Sequence, residues 1–141
     1  MGVTSDLKRR LPGVLRRSDL PFEGKSTAEG SEAHYHDPLY YDHAYSGRES
    51  DVAYYATLAR GTGGPVLEYG VGSGRVALAI AAQGIDVTGV DSSAVMLESL
   101  RAKVNEPSRQ AGAGRITLIQ SDMRHLRLER HFALVIAPFN T

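Results

Sequence analysis

From residue 65 onward, short and nearly continuous apolar runs are separated by amphipathic stretches. The runs at 65–69, 85–90, 115–120 and 132–137 predict four strands. Between the first two, Val76 and Ile80 share one helical face over 75–83, and Gly84 marks its stop. Between the second and third, Met96, Leu97, Leu100 and Val104 form an apolar stripe, and Ser92 or Ser93 is placed to cap that helix. Strands alternating with helices imply parallel pairing with right-handed crossovers. Uninterrupted apolar strands imply helices on both faces. The expected fold class is therefore α/β, a doubly wound and mostly parallel sheet.

Before residue 65 the pattern weakens. Val52, Tyr55, Ala56 and Leu58 recur at helical spacing and predict a helix over 51–60, ended by Gly61-Thr62-Gly63-Gly64-Pro65. Residues 1–38 are expected to be a weakly structured extension. Its basic stretch over 8–17 is interrupted by Pro12 and Gly13, and 22–32 has the Gly, Ser, Glu and Lys content of a mobile linker. The folded domain is expected over 39–141.

Composition changes this picture mainly by exclusion. A chain of 141 residues suits one domain with a real core. The formal net charge of +0 gives no electrostatic case for nucleic acid or an anionic membrane as partner. With no cysteine there is no disulfide, thiolate zinc site or thiol nucleophile, which fits a cytoplasmic setting. No apolar run is long enough to span a bilayer. The basic residues near the start have no apolar segment behind them, so they do not form a secretory signal.

The chemistry concentrates at the ends of the predicted strands. Glu68-Tyr69-Gly70-Val71-Gly72-Ser73-Gly74 follows the first strand. Glycines at alternate positions let the backbone turn sharply and remove side chains that would keep a ligand off the loop. The helix behind it offers N–H groups and a positive dipole end. A tight turn without a ligand is the plainer reading. Asp91 ends the second strand, where an acid can accept from both ribose hydroxyls or cap the next helix. Glu68 is a strand acid that needs a donor, supplied by loop backbone or by a ligand. Asp122 follows the third strand on the same sheet edge, where ligands of open α/β sheets bind. Its carboxylate can accept from an adenine amino group while Met123 packs on the ring; a solvated loop acid and a core methionine are the alternatives.

In this order the residues resemble the class I SAM-dependent methyltransferase family (SAM, S-adenosylmethionine), over about residues 41–141. Glu68-x-Gly70-x-Gly72-x-Gly74 matches its first motif, Asp91 its ribose-binding acid and Ser121-Asp122-Met123 its adenine-side motif. The resemblance implies a Rossmann-like methyltransferase fold with strand order 3-2-1-4 and SAM as cofactor. Its cofactor-binding set is Tyr41, Glu68, Gly70, Gly72, Gly74, Asp91, Ser92, Asp122 and Met123. Ala137-Pro138-Phe139-Asn140-Thr141 falls at the family's fourth motif without its Asn/Asp-Pro-Pro-aromatic form, so nucleobase or protein amide methylation is not supported. A small-molecule acceptor is expected instead. The family continues past this point with a helix and three strands, so the chain reads as an N-terminal, truncated piece. Its fourth strand would then present an open edge to a second copy.

Methyl transfer needs alignment more than acid–base help, and no catalytic residue is assigned. Tyr41, His43 and Asn140 are candidates only by nearness to the pocket mouth. Tyr35, Tyr40, Tyr41 and Tyr45 read mostly as packing. His34, His36 and His43 lack a further ligand at metal-site spacing, and no metal is expected. Two other functions share these features. An NAD(P)-binding domain of an oxidoreductase has the same loop and acid, but its fingerprint wants glycine where Arg75 stands. A non-catalytic SAM-binding or subunit-docking fragment is the other.

Overall fold

Val66, Leu67, Val87 and Val90 are almost fully shielded from water, because they lie on the two inner strands of a four-stranded parallel sheet. The computed structural model describes residues 37–138. Within them β1 (Val66–Tyr69), β2 (Val87–Asp91), β3 (Ile116–Gln120) and β4 (Leu134–Ile136) take the order β3-β2-β1-β4. Val66 stands opposite Val87 on one side and Leu134 on the other, and Asp91 stands opposite Gln120. The register brings the ends of β1, β2 and β3 to one edge. The order expected from the resemblance is the order found, in a Rossmann-like parallel sheet with helices.

Each strand is slightly shorter than its apolar run. Pro65 has no N–H to pair, and its carbonyl instead accepts from Ala133 N at 2.9 Å. Helix α3 (Arg75–Ala81) also ends before residue 83, in a tight turn closed by Gln83 N to Ile80 O and Gly84 N to Ala81 O. Helix α2 (Glu49–Thr62) is longer than 51–60. Its hydrogen bonding runs through Gly61 to Gly63, whose φ of 65° and N–H bond to Ala59 O form a left-handed cap. Of the two proposed caps for α4 (Ala94–Val104), Ser93 makes the bond, its Oγ accepting from Met96 N at 3.3 Å. Helix α1 (Pro38–Tyr45) has no apolar periodicity to announce it. It forms through its start: Asp37 Oδ1 accepts from Leu39 N and Tyr40 N, both at 3.1 Å, and Pro38 pre-sets the first turn.

Ile80 and Leu100 meet Val66, Val87 and Ile116 in the core. Coverage on both sheet faces is nearly complete for β1 and β2 and, among the described residues, partial for the outer strands. Leu118 and Ile119 on β3 are half-buried, and Val135 on β4 is 55% exposed. Residues 121–133, which join β3 to β4, contain turns and no helix to lay across the sheet. The predicted features over residues 1–36, including His34, Tyr35 and His36, lie outside the described residues, as do Phe139, Asn140 and Thr141.

Gly114 carries one close approach. Its N–H bonds Ala81 O at 2.7 Å, and a Cβ there would collide with the backbone carbonyl of Ile85. Backbone cannot yield as a side-chain tip can. Gly114→Ala is expected to lower stability by about 1–3 kcal/mol or more, read from urea unfolding; an unchanged midpoint contradicts this packing.

Candidate functional site at the carboxyl edge of the sheet

The loop after β1 folds back onto the tip of β2. Val71 N donates to Val90 O at 3.0 Å, and Gly72 N donates to Asp91 Oδ2 at 2.8 Å. The other carboxylate oxygen, Oδ1, accepts from Ser93 N at 2.8 Å. Asp91 therefore orients the loop and the entry to α4 together, while Ser93 performs the cap proper. Ser92 between them is exposed, and its carbonyl accepts from Gln120 Nε2 at 3.5 Å. Ser121 N donates to Asp91 O at 3.0 Å, which extends the connection to the tip of β3. One continuous edge thus joins Glu68, the glycines, Asp91 and Asp122.

The three glycines do different work. All have positive φ: 65° at Gly70, 55° at Gly72 and 90° at Gly74. A Cβ at Gly72 would project into open space, the expected property of a loop kept clear for a ligand. A Cβ at Gly74 would collide with Leu100 instead. Its bareness serves contact with α4, a packing role that the sequence pattern did not announce. Gly89 plays a similar part on β2, where a Cβ would press within 2.7 Å of Val71 Cγ2.

Glu68 is 2% exposed, and its Oε2 has no hydrogen-bond partner. Burial pushes its carboxyl well above the usual range; the field of Arg75 opposes this and that of Asp91 adds to it. Arg75, the residue after the glycines, turns toward α2. Its Nη1 and Nη2 reach Asp51 Oδ1 and Oδ2 at 3.0 and 2.5 Å, and Nη1 also reaches Arg48 O at 2.7 Å. Its Nε is buried and unpaired. A large side chain thus fills the position where the dinucleotide fingerprint requires glycine.

Asp122 carries a close ion pair with Arg124, whose Nε donates to both carboxylate oxygens at 3.0 Å and whose Nη2 donates at 2.5 Å. The guanidinium holds the Asp122 carboxyl well below the ordinary range, so it stays ionised. Met123 is 38% exposed rather than buried in the core. Tyr41 is half-buried on α1 and stacks at a tilt on Tyr45 with ring centroids 4.7 Å apart. Tyr40 and His43 are exposed. Among the described residues, no cluster of three or more His, Asp or Glu is placed to hold a metal.

Sequence reasoning missed Asp42, Ser73 and Lys103. Ser73 Oγ donates to Asp42 Oδ1, and Lys103 Nζ donates to Asp42 Oδ2 at 2.5 Å and to Ser73 O at 3.1 Å. Partners 31 and 61 residues apart leave no local spacing signal.

A parallel sheet with this strand order, a glycine loop after its first strand and an acid ending the second defines the Rossmann-like class. The model of a family described as a methyltransferase domain matches residues 66–141, and the chain belongs to that family. Solved relatives agree with the fold. The CcbJ methyltransferase from Streptomyces caelestis is 34% identical, with a TM-score of 0.53 over 64% of this chain and 39% of that one. DesVI from Streptomyces venezuelae is 30% identical, with a TM-score of 0.54 over 70% and 41%. The glycopeptide N-methyltransferase MtfA, in complex with sinefungin, is 30% identical, with a TM-score of 0.52 over 61% and 35%. This chain therefore spans well under half the length of each. No curated protein matches it.

Glu68 yields a test with a definite sign. A carboxyl raised in the fold stabilises fully below its unfolded value, near 4.5, and that stability is lost as pH climbs through the folded value. Glu68→Gln cannot ionise. Its stability relative to wild type is expected to rise as pH climbs above the unfolded value, near 4.5, measured by urea titration; a constant difference contradicts the assignment.

Proposed function

We propose that this edge of the sheet holds SAM and that the protein containing this chain transfers a methyl group to a small-molecule acceptor. The observation that carries the reading is the Asp91 carboxylate, fixed by one backbone N–H on each oxygen at the tip of β2. Each oxygen keeps a further lone pair, so the group can accept from two vicinal ribose hydroxyls without rearranging. The open space above Gly72 leaves room beside it. Glu68, two residues before Gly70, carries a buried carboxyl oxygen with no hydrogen-bond partner, and a donor on the cofactor would satisfy it. Asp122 and Met123 would hold the adenine by amino hydrogen bond and ring contact, and Gly70, Gly74 and Ser92 shape the loop and the turn around the ribose. Tyr41 would close the site from α1.

Family membership supports this, as do the relatives' ligands: MtfA has been solved with sinefungin and with S-adenosyl-L-homocysteine. When bound, SAM supplies a sulfonium-activated methyl group, so the chain's residues need only hold cofactor and acceptor in line. A small-molecule acceptor fits the formal net charge of +0. Among the described residues, no helix is long and apolar enough to cross a membrane.

Calorimetric titration of the chain is expected to give one-site binding of SAM and none of NAD; NAD binding without SAM binding overturns the reading. Asp91→Ala is expected to weaken SAM binding by about tenfold or more, with a thermal melt checking that the variant remains folded.

Among the described residues β4 ends the sheet, which supports self-association of this chain by strand pairing. Light scattering is expected to show mass rising with concentration; a monomer throughout contradicts it.

A further inference from the structure

We propose that Lys103 is a positioning residue: acting through Asp42, it latches α1 over the glycine loop and sets how fast the bound cofactor leaves. This rests on the loop being the SAM site. The starting observation is how little apolar packing holds α1. The helix has eight residues and none of them is buried. A helix of that length does not persist alone in water, so its place must come from specific bonds.

Three of those bonds meet at one point. Lys103, on the last turn of α4, reaches across to Asp42 at 2.5 Å. The same ammonium donates to the carbonyl of Ser73, the residue between Gly72 and Gly74. The Ser73 hydroxyl closes the triangle on the other Asp42 oxygen. Ser73 is fully buried, and the charged side chains are 29% and 32% exposed, so water screens this pair less than it would a surface pair. A second anchor lies at the far end of α1. Arg75 holds the carbonyl of Arg48 and the carboxylate of Asp51, fixing the junction between α1 and α2. Residues 46–48 then act as a hinge and Lys103 as the latch. Tyr41 is carried by this flap and precedes Asp42 directly.

A latch of this kind predicts a kinetic signature. Breaking it frees α1 without altering Asp91, Glu68 or Asp122, so cofactor departs faster while association changes little. The probes are SAM itself and the full chain, with Lys103→Met and Asp42→Asn as variants and Lys103→Arg as the conservative control. Amide hydrogen exchange over residues 38–45, measured without ligand, is expected to rise at least about fivefold in either variant. SAM dissociation in stopped flow is expected to accelerate by a similar factor. The double variant should add little to either single one, and Lys103→Arg should restore most of both effects. Unchanged exchange over 38–45 overturns the latch whether or not SAM binds. Loosened exchange with wild-type dissociation, in a chain that binds SAM, overturns the kinetic role alone. A wild-type chain that binds no SAM overturns the site reading and, with it, the kinetic role, while the exchange result still decides the latch.

Discussion

The carboxylate of Asp91 accepts one backbone N–H from the glycine loop and one from the turn into α4. Much of the edge's geometry depends on this pair of bonds. The glycine loop has no side chain at Gly70, Gly72 or Gly74 with which to hold its own shape, and all three adopt a conformation that ordinary residues avoid. Such a loop is cheap to bend, so something outside it must choose one path. Two contacts with β2 do so: the Val90 carbonyl receives Val71, and Asp91 receives Gly72. Parallel pairing of β1 with β2 makes both contacts available, because the register brings Tyr69 level with Val90. The sheet sets the loop, and the loop and the turn into α4 together fix the orientation of the Asp91 carboxylate.

Packing and binding compete for the same few residues along this edge. Gly74 lies bare against Leu100 and Gly89 against Val71, so two glycines close to the site serve close packing. Gly72 remains open. Glu68 tells the opposite story. A buried carboxyl with an unpartnered oxygen destabilises the fold, and its neighbours Arg75 and Asp91 pull its charge state in opposite directions. Apolar packing offers no reason to keep an acid there. A buried acid that costs the fold stability, two residues before Gly70, is where a binding role is to be sought.

The central part of this structure was legible in the sequence because its signals are local. An apolar run, alternate glycines and an acid ending the next run lie within about 25 residues of one another, and each has one plain structural meaning. Strand order came from the family resemblance, since apolar runs alone do not rank neighbours. The sequence was less informative at the boundaries. Gly61 looked like a helix stop and was carried inside α2, because tertiary contact with α3 outweighs a single weak residue. An apolar run also does not reveal which element lies across it, as the half-buried Leu118 and exposed Val135 show. The Asp42–Lys103 pair was invisible for a related reason: a helix-end lysine and a polar residue between aromatics each look solvated until the fold brings them together.

Helix α1 shows how a site can be built from parts of unequal stability. The sheet, α3 and α4 share one core cluster, whereas α1 adds no buried residue to it. Elements held by polar bonds over little apolar area open at lower free energy than the core does. Asp91, Glu68 and the glycines therefore belong to the part of the edge tied to the core, and Tyr41 to the part tied mainly by polar bonds. On the proposal that this edge is the cofactor site, the ligand enters against a fixed wall and is covered afterwards. The same division explains why charged residues do the fastening. An apolar flap packed as tightly as Leu100 against Gly74 would stay shut, whereas an ammonium shared between a carboxylate and a carbonyl can release and re-form while water satisfies each group in turn.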